Sequence, residues 1–433
     1  MVRGCVKCFS NDDKGSGARA RCSFPRTRPD VMRGPVHLPT TPHEQVRQHL
    51  GFLFIKMDAL PDELKLHIIS YLDCAPPSDR RFFDEPNPRV LSSLRDQPLK
   101  ALSLVSRRWH RIIKPLLFHY LVFHLHILDD EHNEWIPSRA QELPQIRHFL
   151  GKFDRRHHVK SLLVCAHGEI YGSLRADIAS VSTDFWSAVF YSIEPASIKV
   201  VAPPAALARL AGSGGYFQHA WAFEQSYHVL ELRQNVSLTD DGCADPFGTT
   251  ENLMARRRWC HIGYNEGSSL SAYNLYEYQH YISPCVLRHL LERASWDTNT
   301  ATSLTYVAIF PTSENVLRFA RHLALLPTQC HITFQLAPEP TSTILHEPER
   351  MKRAQPADLW VELDRTYRVL AGFLVHNRRH KLRPSVKSRD YRWNALVETL
   401  DDDEHLGALK GHGWAKTDGS EWVPVDPIKH HPV

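Results

Sequence analysis

Cys5-Val-Lys-Cys8 places two thiols at zinc-ligand spacing, and Cys22 with His37 or His43 would supply the other two donors of a tetrahedral site. No second Cys-x-x-Cys and no His-xxx-His completes it, so a chance pair in a flexible leader is the competing reading and no metal is assigned. His167-Gly-Glu169 sets an imidazole two residues from a carboxylate, the pair that zinc-dependent base deamination uses. The Pro-Cys-x-x-Cys that such chemistry needs is missing, because Pro284-Cys285 stands alone. The chain has no GxxxxGK[ST] loop, no GxGxxG after a strand, no HExxH and no GxSxG elbow. Gly212-Ser-Gly-Gly215 is not followed by Lys-Ser/Thr and reads as a flexible turn. Histidine pairs such as His157-His158 and His430-His431 read as ordinary surface or core side chains. Residue types and spacing therefore nominate no catalytic residue and no cofactor, and the expectation is a protein that is not itself an enzyme.

The informative spacing is apolar. Leu64, Ile68 and Leu72 recur every four residues behind Leu60-Pro61-Asp62-Glu63, which sets one apolar stripe along a helix. Asp58 is placed to cap that helix and Pro61 suits its first turn. Asp62 and Glu63 fall at the positive end of the helix dipole, while Lys65, His67 and Ser70 fall largely off the stripe. In a second segment, Leu99, Leu102, Val105, Trp109, Ile112 and Ile113 share one side. Lys100, Arg107, Arg108, Arg111 and Lys114 dress the other, and Pro115 should end or kink the helix.

By pattern alone the two segments serve equally well as ordinary core. Their order and composition, LPxEL, then Ile and Tyr-Leu, then Leu-xx-Leu-xx-Val-Ser-xx-Trp, then Pro-Leu-Leu-Phe, resemble the F-box, over residues 58 to about 119. The resemblance implies a small helical module that docks on the Skp adaptor of a cullin-type ubiquitin ligase. It implies adaptor-facing or supporting roles for Leu60, Pro61, Glu63, Leu64, Ile68, Leu72, Leu102, Val105, Trp109 and Pro115. One departure is the stretch Asp73–Pro98, which carries Pro76, Pro77, Pro86, Pro88 and Pro98 where an F-box has a short loop. It reads as a solvent-exposed insertion, with a helical turn or two over Pro88–Leu94. A longer first loop followed by a divergent C-terminal region is similar to the layout of fungal F-box proteins.

With 433 residues, 42% hydrophobic and 23% charged, the chain can build a sizeable core and two or three structural units. A net charge of +4 is too mild to argue for nucleic acid, and no apolar run approaches a membrane span. Nine scattered cysteines and no apolar leader read as reduced thiols in a cytoplasmic or nuclear protein. Residues 1–56, rich in Gly, Arg, Pro and Ser, read as a disordered leader; Met57 offers an alternative start that would leave the leader without a role.

Beyond the helical module the pattern becomes mixed α/β. Strands are expected at Leu121–Ile127, His158–Cys165, Tyr227–Leu232, Ser303–Phe310 and Cys330–Leu336. Helices are expected at Leu143–Phe153, Thr183–Tyr191, Pro204–Ala211, Pro284–Ala294, Ser313–Leu326 and Ala357–His376, with Leu359, Leu363, Tyr367, Leu370 and Leu374 on the buried face of the last. Such alternation suggests a parallel sheet with crossover helices over 120–337. In a chain that opens with an F-box it resembles a degenerate leucine-rich-repeat-like region, an irregular solenoid without a fixed period; a non-repetitive α/β domain is the alternative. Residues 338–356 read as a linker or surface loop, and the rest of 338–433 as a helix and a terminal hairpin turning at Asp418-Gly419. Arg256-Arg257-Arg258-Trp259 and Arg378–Arg383 form basic patches, and Asp401–Glu404 an acidic turn, each read first as a solvated face.

The function implied by the resemblance is substrate recognition in a Skp–cullin–F-box ligase, with the adaptor, the cullin and a target protein as partners. A scaffold that binds the adaptor outside any ligase is the second reading. An enzyme whose site is assembled from distant residues is the third.

Overall fold

The computed structural model describes residues 59–73, 75–93, 98–129, 135–137, 148–149, 158–167, 178–213, 227–235, 252–275, 286–293, 301–323, 326, 330–376, 384–417 and 419–425. The leader 1–56, Asp58, the candidate zinc ligands near it, most of Leu143–Phe153 and the cluster Arg378–Arg383 lie outside these. The chain forms two compact units. Among the described residues the smaller holds 59–73 and 98–116, and the larger holds 75–93 and 117 onward.

The smaller unit is helical: α1 (Asp62–Ser70), then, after two short helices of the larger unit, α2 (Pro77–Arg80) and α3 (Pro88–Leu91), comes α4 (Pro98–Ser103), followed by α5 (Arg107–Leu117), whose last residue passes into the larger unit. The second apolar segment is thus two helices. They break at Leu104–Ser106, where the Ser106 hydroxyl accepts a hydrogen bond from the Trp109 amide (3.2 Å) and caps α5. Pro61 sits at the N-cap of α1, one position before the first turn expected for it. Pro115 lies inside α5, which ends only two residues later.

The larger unit is a mixed α/β body around an eleven-stranded sheet: β1 (Tyr120–Asp129), β2 (Trp135–Pro137), β3 (Ser161–His167), β4 (Ser197–Ala202), β5 (His228–Arg233), β6 (His261–Ser268), β7 (Ser303–Ile309), β8 (His331–Gln335), β9 (Ser385–Ser388), β10 (Trp414–Lys416) and β11 (Glu421–Pro424). Its order, β10-β11-β9-β8-β7-β6-β5-β4-β3-β1-β2, follows the chain almost step by step. The pairs β1–β3, β3–β4, β6–β7, β7–β8 and β8–β9 are parallel, as the strand–helix alternation predicts. β5 is antiparallel to both neighbours, and so are the strands of the edge pairs β1–β2, β9–β11 and β10–β11 to each other.

The two faces of the sheet differ in chemistry. One row across it reads Leu121, Leu162, Ile198, Leu232, Ile262, Leu304, Ile332, Val386 and Trp422, all buried. Helices α6 (Ile178–Ser192), α7 (Pro204–Leu210), α8 (Val286–Arg293), α9 (Ser313–Leu323) and α11 (Pro356–His376) supply its cover, with α10 (Pro348–Met351) and α12 (Asn394–Leu400) at the periphery. Phe319 of α9 stacks on Tyr306 with ring centroids 4.1 Å apart, and Tyr367 of α11 hydrogen-bonds Ser388 at 2.9 Å. The adjacent row on the opposite face reads Leu163, Lys199, Glu231, Gly263, Thr305, Thr333 and Lys387.

That polar face is where the Pro-rich stretch goes. Residues 75–93, expected as an exposed loop, instead form a strap carrying α2 and α3 over it, with Ser78, Phe82, Pro86, Pro88 and Leu91 buried. Its Asp79 pairs with Lys199, whose ammonium also meets Glu231 at 2.8 Å, and both Lys199 and Glu231 are buried. Arg233 (2.6 Å) and His261 (3.7 Å) close on the same carboxylate. The Phe82 ring lies where a Cβ on Gly263 would be, 2.8 Å from it, so the glycine makes room for the strap. The Asn265 side-chain amide donates to the Phe82 and Asp84 carbonyls (2.7 and 2.8 Å). A buried lysine in mid-sheet needs carboxylates around it, and a strap that brings one is held there for that reason.

Burial pushes the Glu231 carboxyl upward, but His261, Lys199 and Arg233 outweigh it and hold the group at about 2. A carboxyl held below its unfolded value contributes stability above the ordinary carboxylate range, and that stability is lost as pH falls toward 2. Wild-type protein is therefore expected to lose unfolding free energy between about pH 4.5 and 2 in urea titrations, and Glu231→Gln to flatten that slope. At neutral pH Glu231→Ala is expected to cost about 3–5 kcal/mol, because it leaves Lys199 short of a counter-charge.

Candidate functional site

In the smaller unit α1 turns inward the residues Lys65 and Ile69, four apart, rather than the stripe that spacing marks. The Lys65 stem is buried and its ammonium reaches Asp62 at 3.4 Å. Asp62 also accepts from Arg108 of α5 at 2.7 Å, tying the first helix to the last. The hydrogen bond from Arg108 holds the Asp62 carboxyl below the usual carboxylate range. Leu99, Trp109 and Ile113 complete the buried set.

The consequence is an apolar surface. Leu64 is 51% exposed, Val105 52%, Leu104 72% and Tyr71 75%, with Leu66, Ile68 and Leu72 also open. Leu64, Ile68, Tyr71 and Leu72 share one face of α1 and the turn that ends it, and Leu104 and Val105 stand in the break between α4 and α5. Of the residues expected to build the module, Leu64, Ile68, Leu72 and Val105 are exposed apolar side chains, and Pro61 and Glu63 are exposed beside them. Trp109 is core at 2% exposure, and Leu60, Leu102 and Pro115 are half-buried. Tyr71, which belongs to the Tyr-Leu of the sequence pattern, is exposed as well, and so are Leu66 and Leu104, which the pattern does not mark. The only signal for Leu104 was its place at the edge of a break that the periodicity ran through. Lys100, Arg107 and Arg111 are exposed in the same unit, and exposed apolar side chains of this number are the kind of surface that protein partners cover.

Other candidate sites resolve differently. The basic patch at 256–259 is not a solvated face: Arg256 and Trp259 are buried, and the Arg256 guanidinium donates to the Ser187 hydroxyl and the Thr183 carbonyl (3.1 and 3.3 Å). Arg257 lies over the Phe190 ring at 4.2 Å. Asp401–Glu404 does form a solvated turn. Among the described residues no group of three His, Cys, Asp or Glu side chains is arranged to hold a metal ion, and no helix is long and apolar enough to cross a membrane.

A family model described as F-box-like matches residues 57–124, so the smaller unit and the strap lie within an F-box-like domain. No curated protein and no solved structure matches the chain.

Exposure separates contact residues from core residues, and denaturation measures the difference. Leu64→Ser with Val105→Ser is expected to shift unfolding by no more than about 0.5 kcal/mol per site. Trp109→Ala is expected to cost about 3–5 kcal/mol.

Proposed function

We propose that the protein is the substrate-recognition subunit of a Skp–cullin–F-box ubiquitin ligase. The exposed apolar surface of α1 and the α4–α5 break carries this reading, because it lies within the F-box-like residues and consists of side chains that a lone unit has no reason to expose. Its occupant in this reading is the Skp adaptor, and the cullin joins through the adaptor. The region from residue 120 onward binds the target protein, in the cytoplasm or nucleus. The chain contributes no catalytic step: ubiquitin transfer belongs to other subunits, and the contribution here is proximity. We further read the larger unit as an irregular solenoid, on the support of its chain-ordered strands and its row of helices on one face.

The test is co-purification of the full chain with Skp adaptor and cullin, comparing wild type with Leu64→Arg, Val105→Arg. Each arginine puts a charge into a contact that apolar packing would make, so adaptor capture is expected to fall by more than tenfold while the unfolding midpoint stays put. Capture of the adaptor without the cullin would favour the scaffold reading. Equal capture by wild type and variant would sink the adaptor assignment.

A further inference from the structure

Helix α5 runs against the charge preferences of an isolated helix. Its first turn opens with Arg107-Arg108, and no carboxylate occurs anywhere in Arg107–Leu117. Cations at the N-terminal end oppose the helix dipole, and like charges four residues apart, as at Arg107 and Arg111, repel. Arg108 is relieved by Asp62 at 2.7 Å. Arg107, Arg111 and Lys114 are not: among the described residues none of the three closes an ion pair. Their spacing, i, i+4 and i+7, sets them on one face, opposite the buried Trp109 and Ile113. Arg107 and Arg111 are exposed and Lys114 is half-buried. Helices of the larger unit show the opposite habit: Arg318 takes Glu314 at 2.8 Å in α9, and Arg368 takes Asp364 at 2.9 Å in α11.

The surplus of positive charge is local. Between Asp96 and Asp129 the chain carries five Lys or Arg and no carboxylate. The described residues of the smaller unit hold six Lys or Arg against three Asp or Glu, in a chain whose net charge is only +4. Lys65 and Arg108 share Asp62, so the excess falls on the stripe of α5 and on Lys100. Along the chain the stripe continues from the exposed apolar side chains: Val105, 52% exposed, stands two residues before Arg107. Sequences that fit their fold break local rules mainly at functional sites, where the compensation comes from elsewhere. An anionic surface laid along this face of α5 supplies the charges that the helix lacks. A face of one sign also raises the encounter rate with a partner of the other.

We propose that Arg107, Arg111 and Lys114 form the electrostatic part of the docking surface and engage an acidic face of the Skp adaptor, steering it onto the exposed apolar side chains. The inference rests on the reading of the smaller unit as the adaptor-binding part of the protein. It adds the charge of the partner's face and its effect on the association rate. The exposed leucines and valine of the same unit favour a protein over an anionic membrane or a nucleic acid.

The test measures association and dissociation rates of purified Skp adaptor on the immobilised full chain at low and high salt. Wild type is expected to associate more slowly as salt rises. Arg107→Glu with Arg111→Glu is expected to slow association by about tenfold or more at low salt and to remove most of the salt dependence, with dissociation little changed. The Arg107→Glu change puts an acid at the positive end of the helix dipole, so the unfolding midpoint of this variant is expected to hold. Leu64→Ser with Val105→Ser is the contrast, expected to speed dissociation at an unchanged association rate. Association of the charge variant at the wild-type rate, or a wild-type rate indifferent to salt, would overturn the proposal and leave the adaptor reading standing. Phosphatidylserine vesicles or polyuridylate captured by wild type and lost by the charge variant, with adaptor association equal in both, would overturn it by giving the face to another partner. A folded wild type that binds no adaptor would remove the ligase reading and this proposal together.

Discussion

A lysine buried in the middle of a sheet is the constraint around which the larger unit is arranged. Lys199 has no water to solvate it, so its charge is matched by Glu231 on the neighbouring strand and by Asp79 on the strap. An all-apolar face would have needed neither. Because the second counter-charge comes from residues far back in the chain, the electrostatics fix where the Pro-rich stretch must lie. Once it lies there, Phe82 requires a glycine at 263, and Asn265 finds two backbone carbonyls to bind. The course of the strap across this face thus answers to one ion cluster.

The two units use apolar residues in opposite ways. In the larger one, row after row of leucine, isoleucine and valine turns to the helices and is buried, and the polar row takes the other face. In the smaller one, a helix of nine residues buries only Lys65 and Ile69 and leaves its leucines outside. A short helix has room for one inward stripe. When that stripe is a lysine stem and an isoleucine, the remaining apolar side chains are left exposed.

Much of this was legible in the residues, for reasons that also explain what was not. β1, β3, β5, β7 and β8 announce themselves by β-branched and aromatic runs, and α11 by its long apolar stripe. β4 carries Lys199 at its centre, and β6 reads His-Ile-Gly-Tyr-Asn-Glu-Gly-Ser, a composition that strands disfavour; both are strands because of what covers them. The antiparallel course of β5 left no mark either, since direction is set by connections and not by composition. The prolines of the strap point to an exposed loop, and its Phe82 and Leu91 are buried because the polar face of the sheet receives them. In the helical module, periodicity showed that Leu64, Ile68 and Leu72 share a face. It did not show which face looks outward, because a repeat reports geometry and not the identity of the body that covers it.

The strap also changes what a deletion can mean. The chain leaves the smaller unit after residue 74, returns at 98 and leaves again after 116, so the two units are interleaved in sequence. Removing the F-box-like residues 57–124 as one block would take away the strap and the opening residues of β1 with it. The sheet would be left with Lys199 stripped of Asp79, and with Gly263 and Asn265 facing water. Loss of function in such a truncated protein would record a damaged larger unit, and would be mistaken for the effect of the missing helical module alone. Genetic dissection of this chain therefore belongs to point substitutions on the outward face of α1, which leave the interleaved segment in place.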